Sequence, residues 1–143
     1  MRPTNEPIGL EVSRTGRVLS KAFNDALVRA GGSLPQWLVL TALKQGDHTM
    51  QRELATAIGI EGATLTHHLN RMEDDGLVRR ERVAGNRRNQ LVALTPEGEA
   101  LFASLLGAVI TFDANLRRGL TEQELSVLRT VLARLRANAS PGG

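Results

Sequence analysis

The chain has 143 residues, which suits one ordinary domain or one subunit of a small oligomer. It contains no cysteine, which excludes disulfides, a thiol nucleophile and a thiol redox switch, and its four aromatic residues are too few for a stacking surface that binds single-stranded nucleic acid. The net charge of +3 is compatible with phosphate binding, and we expect a cytoplasmic protein without a membrane partner, since no long apolar run or signal peptide is apparent.

Four helices are predicted in the first half of the chain. Apolar residues recur there at helical spacing, and glycine or proline stands where each helix begins or ends. The second helix is apolar almost all round, so we expect it to be buried. The helices are expected from Ile8 to Ala30, from Ser33 to Gly46, between Thr49 and Gly59, and from about Gly62 to Asp75.

The second half predicts a β-hairpin followed by two helices. Two short apolar stretches, Leu77-Val78 and residues 90–94, flank a polar segment with a Gly-Asn turn. Thr95-Pro96 then supplies a helix N-cap and a proline at the first helical position. A capping box at residues 121–124 begins the last helix.

This order of elements predicts a mainly α fold with a small β-hairpin wing, namely a winged helix-turn-helix with a helical dimerisation domain. The terminal helices are amphipathic, and their apolar stripes have too little partner surface in one subunit. We therefore expect a two-fold homodimer. The predicted organisation is a flexible arm (1–7), a helical dimerisation domain (8–32 and 96–138), a winged helix-turn-helix lobe (33–95) and a flexible tail (139–143).

The fourth helix has one apolar side, formed by Leu65, Leu69 and Met72, and one polar side. Small side chains allow close approach to DNA, while hydroxyl, imidazole and guanidinium groups reach base edges or phosphates. The polar side is therefore a candidate surface for the major groove, and an ordinary solvated face is the alternative. Its members are Ala63, Thr64, His67, Asn70, Arg71 and Asp74.

The predicted hairpin concentrates positive charge. Residues 78–90 hold five arginines and one glutamate, a local charge of +4. Its tip, Asn86-Arg87-Arg88, could reach the minor groove beside a major-groove helix, because a narrow minor groove attracts arginine. A solvated run of charge is the alternative.

Several motifs occur in one order and spacing over about half of the chain. They are Gln36–Leu40, Glu53–Ala55, Ala57–Glu61, Leu69 with Met72–Val78, Asn86–Arg88, and Leu94–Gly98. From Leu34 to Leu101 the chain thereby resembles the MarR family of bacterial transcription regulators, and within it the SlyA-like branch. The flanking helices agree with the family's dimerisation domain in length and pattern.

The resemblance implies which residues contact DNA. Where the family pattern has an aspartate that holds a wing arginine, this chain has Asn86, which can still accept a hydrogen bond but forms no charge-assisted pair. SlyA-like members carry arginine at the position of His67, so a different operator base can be preferred here. The family's base-reading positions match Ala63, Thr64, Thr66 and His67, its phosphate contact matches Arg71, and its wing matches Arg87 and Arg88.

The resemblance also implies a crevice for a small aromatic or lipophilic effector. For Trp37 and His68, ordinary core packing is the favoured alternative to a ligand contact. We expect no cofactor and no metal site, since the chain has three histidines and His67 and His68 point about 100° apart on a helix. The candidate effector residues are Val12, Arg14, Arg17, Phe23, Trp37 and His68.

The sequence contains none of the common catalytic motifs, such as a glycine-rich phosphate loop or a nucleophile elbow, so an enzyme is not expected. The predicted function is a dimeric, sequence-specific regulator of transcription, a repressor rather than an activator. It would bind a pseudo-palindromic duplex site and be released by a small ligand. The alternatives are a helical adaptor that binds a protein and a non-specific architectural DNA binder.

Overall fold

A computed structural model describes residues 6–46, 49–82 and 90–142. Within these residues the predicted order of four helices, a hairpin and two helices is confirmed. In chain order the elements are α1 (Ile8–Arg29), α2 (Leu34–Gln45), β1 (Thr49–Met50), α3 (Gln51–Ile58), α4 (Gly62–Asp74), β2 (Val78–Arg82), β3 (Gln90–Leu94), α5 (Pro96–Leu116) and α6 (Glu122–Ala139).

The sheet has three antiparallel strands in the order β1-β3-β2. In the predicted hairpin, Val78 lies opposite Leu94 and Arg80 lies opposite Val92. The sequence pattern does not predict β1, which pairs with the other edge of β3. Two residues are too few to show the alternation of polar and apolar side chains that identifies a strand.

The core lies within residues Met1–Ile110, which form one of two compact units of the chain. The predicted apolar side of α4 is buried in it, so the opposite side of α4 is left free for another role. The core side chains are Leu27, Val39, Leu40, Leu43, Leu54, Ala55, Leu65, Leu69, Met72, Leu77, Val78, Val92 and Leu105.

The expectation that α2 is buried all round is wrong for part of the helix. Val39, Leu40 and Leu43 are buried, but Leu38 is 39% exposed. Within the chain α2 packs on α1, α3, α4 and β3, and its Trp37 also stacks on Phe102 of α5. They cover the side that carries the buried residues and leave Leu38 partly in solvent.

Thr95 joins three elements at the base of the hairpin. Its hydroxyl donates a hydrogen bond to the carbonyl of Gly76 and accepts one from the amide of Gly98 at 3.0 Å. Its own amide donates to the carbonyl of Leu77 at 3.2 Å. Gly76 has φ +76°, the left-handed conformation with which many helices end. The end of α4, the end of β3 and the start of α5 are therefore tied together.

Residues Thr111–Gly143 form the second compact unit. The capping box predicted for α6 is present, because the Thr121 hydroxyl accepts from the amide of Glu124 and the Glu124 carboxylate accepts from the amide of Thr121. Leu125 of α6 is buried, whereas Leu128 is 48% exposed. One side of α6 therefore presents apolar side chains to solvent.

Large apolar side chains of α1, α5 and α6 are exposed in the single chain. Runs of exposed apolar side chains on a soluble protein mark surfaces that bind another molecule. They are Ile8, Leu10, Val18, Leu19 and Val28 in α1, Leu106, Ile110 and Leu116 in α5, Leu120 before α6, and Val127, Leu128 and Val131 in α6.

The helix α5 is also long and apolar enough to cross a membrane, judged by length and composition alone. A single such helix is weak evidence for a membrane, since the core helix of a soluble protein meets the same test.

Candidate nucleic-acid interface

Helices α3 and α4 are joined by a tight turn that begins at Gly59, whose φ of +80° suits a residue without a side chain. The short connection holds α4 against α3, while Leu65, Leu69 and Met72 fix its inner side in the core. This is the geometry of a helix-turn-helix, in which the second helix presents its outer side to a partner.

The outer side of α4 is exposed along its whole length. It begins with the small side chains of Ala63 and Thr64, continues one turn later with His67, and ends with longer polar groups. A helix with small residues at its N-terminal end can approach base edges closely, because nothing bulky separates its backbone from the groove. The exposed residues are Ala63, Thr64, His67, Asn70, Arg71 and Asp74.

Thr66 differs from the other predicted base-reading residues. It is half-buried, and its hydroxyl accepts a hydrogen bond from Gln51 Nε2 at 2.7 Å and donates one to the carbonyl of Gly62 at 2.9 Å. In this structure Thr66 therefore links α4 to α3. A direct contact between its hydroxyl and a base would require these hydrogen bonds to rearrange.

His67 and His68 have different surroundings although they are adjacent. Their ring centroids are 5.8 Å apart and the rings are tilted by 54°. His67 is exposed and His68 is half-buried. Burial lowers the pKa of His68, and the nearby charges of His67 and Arg71 lower it further. His68 is therefore neutral at neutral pH and adds no positive charge to the outer side of α4.

The hairpin places its arginines on both faces of the sheet. Arg79 is exposed, whereas Arg80 lies on the same face as the buried Val78 and its side chain is only 15% exposed. The predicted wing residues Arg87 and Arg88, together with Asn86, lie outside the described residues. Among the residues that the structure describes, Arg80 thus forms an ion pair and Arg79 forms none.

Sequence reasoning missed the contacts of Arg80 with α4. Its Nη2 atom donates to Asn70 Oδ1 at 2.5 Å and to Glu73 Oε1 at 2.9 Å, and its amide donates to Glu73 Oε2 at 3.2 Å. The hydrogen bond from the Arg80 side chain lowers the pKa of Glu73, an effect that burial opposes and the charge of Arg80 reinforces. Side chains alternate between the two faces of a strand, so the apolar Val78 in 78–82 was the signal that could have placed Arg80 on the inner face.

The structure does not bring the candidate effector residues together in one described cavity. Trp37 stacks on Phe102 with ring centroids 5.5 Å apart and, like Phe23, packs against the core. Val12 is half-buried, Arg17 is exposed and Arg14 pairs with Glu6.

His68 lies apart from those residues. It lines a cavity of about 370 Å³ between the α1–α2 turn and α4, together with Gln36, His67 and Arg71. Within the residues described, no three His, Cys, Asp or Glu side chains are grouped to hold a metal ion.

Comparison with known proteins places the chain among regulators of transcription. Residues 33–89 match the model of the MarR family. The chain is 34% identical to the transcriptional regulator PA3341, covering 92% of this chain and 97% of that one with a TM-score of 0.78.

Two further solved structures are similar over nearly their whole length. The regulator MosR of M. tuberculosis, solved in complex with DNA, is 28% identical with a TM-score of 0.80, and the alignment covers 94% of this chain and 96% of that one. A MarR-family regulator from Rhodococcus sp. RHA1 is 26% identical with the same TM-score and the same coverage.

Proposed function

Because the chain belongs to the MarR family, we propose that it is a homodimeric repressor that recognises a specific pseudo-palindromic site in double-stranded DNA. The observation that carries the proposal is the outer side of α4, which is exposed and polar while its inner side is fixed in the core. A rigid helix with this division suits insertion into a major groove. The proposal gives the protein a cytoplasmic location and no catalytic role.

Two copies of α4 are required for a pseudo-palindromic site. In a two-fold dimer, the two recognition helices would enter major grooves one helical turn apart, about 34 Å along the DNA. We assign residues 33–95 to the DNA-binding lobe and residues 8–32 with 96–138 to dimerisation. The exposed apolar side chains of α1, α5 and α6 support this assignment, because a second subunit would remove them from water.

The proposed base contacts come from the N-terminal half of α4, at Ala63, Thr64 and His67. Thr66 can contact a base only if its hydrogen bond with Gln51 of α3 breaks. Arg71, two turns along the same helix, is assigned to phosphate, since a flexible guanidinium suits the DNA backbone. The wing residues Arg87 and Arg88 are assigned to the minor groove on the sequence pattern.

A small aromatic or lipophilic effector is the proposed signal for release. Trp37 and Phe102 support this, because they form a partly exposed aromatic stack on which a flat ligand could pack. Lys44 lies 5.5 Å from the Phe102 ring and pairs with Glu99, which puts a cation within reach of a ligand carboxylate. The single tryptophan makes fluorescence quenching a direct measure of such binding.

The test of the function is sequence-specific binding. DNA fragments that co-purify with the protein would be sequenced to obtain the site, and its labelled duplex would be mixed with the protein and an excess of unlabelled random duplex. We expect the complex to persist. An architectural DNA binder would lose the labelled duplex to the competitor, and a protein adaptor would form no complex, so either result contradicts the proposal.

His67→Ala is expected to weaken operator binding by about 5- to 150-fold, or roughly 1–3 kcal/mol, and to change binding to a scrambled duplex little. The imidazole is exposed one turn after Thr64, where it offers a donor and an acceptor to a base edge. Base contacts specify a sequence, whereas phosphate contacts are common to all sequences. Affinities for both duplexes at fixed salt and pH would be measured by fluorescence anisotropy.

The matched control for His67→Ala is Arg71→Ala, one turn further along the exposed side of α4. As a phosphate contact, Arg71 should contribute equally to both duplexes, so its removal should lower the two affinities by similar factors. If His67→Ala lowers the affinities for operator and scrambled duplex equally, His67 contacts the DNA backbone. If it lowers neither affinity, His67 is an ordinary solvated residue.

A further inference from the structure

Arg80 occupies an unusual position for an arginine of a DNA-binding hairpin. Successive side chains of a strand point to opposite faces, so Arg80 shares its face with Val78. The two lie opposite the buried Val92 and the half-buried Leu94 of β3. An arginine on this inner face needs partners, because a guanidinium removed from water without hydrogen bonds is strongly unfavourable.

The partners of Arg80 both come from α4 and lie one helical turn apart. Glu73 binds the amide of Arg80 with one carboxylate oxygen and the guanidinium with the other, while Asn70 binds the guanidinium alone. Glu73 is therefore bonded to the backbone and to the side chain of the same residue. This arrangement fixes β2 against α4 at one register.

Resting on the proposed function, we propose that Asn70 and Glu73 are positioning residues for DNA recognition, which fix the wing on α4 and withhold Arg80 from DNA phosphates. A free arginine beside the recognition helix would strengthen binding to every sequence equally. Pairing Arg80 with Glu73 cancels that contribution, so sequence-dependent contacts make up a larger share of the binding free energy. In the part of the chain that the structure describes, Arg79 has no such ion pair and remains available to phosphate.

Glu73→Gln tests the proposal because it removes the charge that holds Arg80 and keeps a side chain of the same shape. We expect the affinity for a scrambled duplex to rise, because Arg80 becomes free to bind phosphate. The slope of log affinity against log salt concentration should then become steeper by about one. We expect the ratio of operator to scrambled affinity to fall about tenfold, because the wing is no longer held in one position.

The matched control is Asp75→Asn, which changes the net charge equally on an exposed carboxylate two residues away that makes no ion pair within the described residues. It should raise both affinities by similar factors and leave their ratio unchanged. If Glu73→Gln behaves like Asp75→Asn, the pair acts only through net charge. If it lowers both affinities together with the melting temperature, the pair is only structural, and either result overturns the proposal.

The double variant Glu73→Gln with Arg80→Met removes both charges and leaves the net charge as it was. Because Arg80 does not touch phosphate in the proposed complex, the salt dependence on scrambled duplex should equal that of the unmodified protein, while the operator preference should still fall. A shallower salt dependence, as expected for Arg79→Met, would show that Arg80 is an ordinary phosphate contact. If the unmodified protein binds operator and scrambled duplex with equal affinity, that result contradicts the proposed function itself.

Discussion

Leu128→Asp is expected to dissociate the proposed dimer and to weaken operator binding by at least about 100-fold. Leu128 lies on α6 beside Val127 and Val131, and all three are about half-exposed in the single chain. If a second subunit covers them, the new carboxylate is buried there without a partner, which costs several kcal/mol. A monomer carries one recognition helix, so it also loses half of the contacts with a two-fold operator.

Light scattering at micromolar concentration would give the mass of the variant, and circular dichroism would show whether the monomer remains folded. Ser126→Asp is the matched control, since it adds the same charge to an exposed polar position of the same helix. It should remain a dimer. A Leu128→Asp protein that is still dimeric would exclude this side of α6 from the interface, and a stable unmodified monomer would contradict the dimer altogether.

The division of α4 into two sides could be predicted from sequence because it depends only on helical geometry. Leu65, Leu69 and Met72 recur at spacings of four and three residues, and all are buried. The hairpin strands were predictable for a similar reason, since 78–82 and 90–94 flank a segment rich in turn residues. Local periodicity therefore sufficed to locate the candidate interface.

The sequence could not show which polar side chains already form hydrogen bonds or ion pairs within the protein. Arg80 was counted among the free charges of the wing, yet its partner Glu73 is seven residues away on another element. Thr66 was grouped with the base-reading residues, but Gln51, fifteen residues earlier, holds its hydroxyl. Such pairs depend on how α3, α4 and β2 pack, and periodicity within one element carries no information about them.

The same limit applies to the candidate effector site. Trp37 stacks on Phe102, which lies 65 positions later in a different helix, so the pair appears only once α2 and α5 are packed. Of the two stacked residues the sequence marked only Trp37, and the structure adds Phe102 and Lys44 to the aromatic surface around it. Arg14, another of the candidate effector residues, instead pairs with Glu6.

The start of α5 packs so closely on the chain that follows α4 that the structure requires a glycine there. A Cβ atom at Gly98 would lie 2.1 Å from the carbonyl oxygen of Leu77 and 3.2 Å from Leu94 Cδ2. The carbonyl cannot turn away freely, because it accepts a hydrogen bond from the amide of Thr95. Any larger residue must therefore move α5 away from the end of the recognition helix.

Gly98→Ala is accordingly expected to destabilise the protein by about 1–3 kcal/mol or more, which lowers the melting temperature by roughly 3–10 °C. The matched control is Gly107→Ala in the same helix. Apart from its chain neighbours and the backbone of the helix itself, no described atom lies within 4 Å of the added Cβ there, and alanine should stabilise by about 0.5–1 kcal/mol. Thermal unfolding at equal protein concentration would measure both.

Because Leu77 directly follows the turn that ends α4, the displacement should also weaken operator binding at temperatures where the variant is folded. A Gly98→Ala protein as stable as the control would show that α5 can shift at no cost, and the tie between α4 and α5 would then be too loose to position the recognition helix.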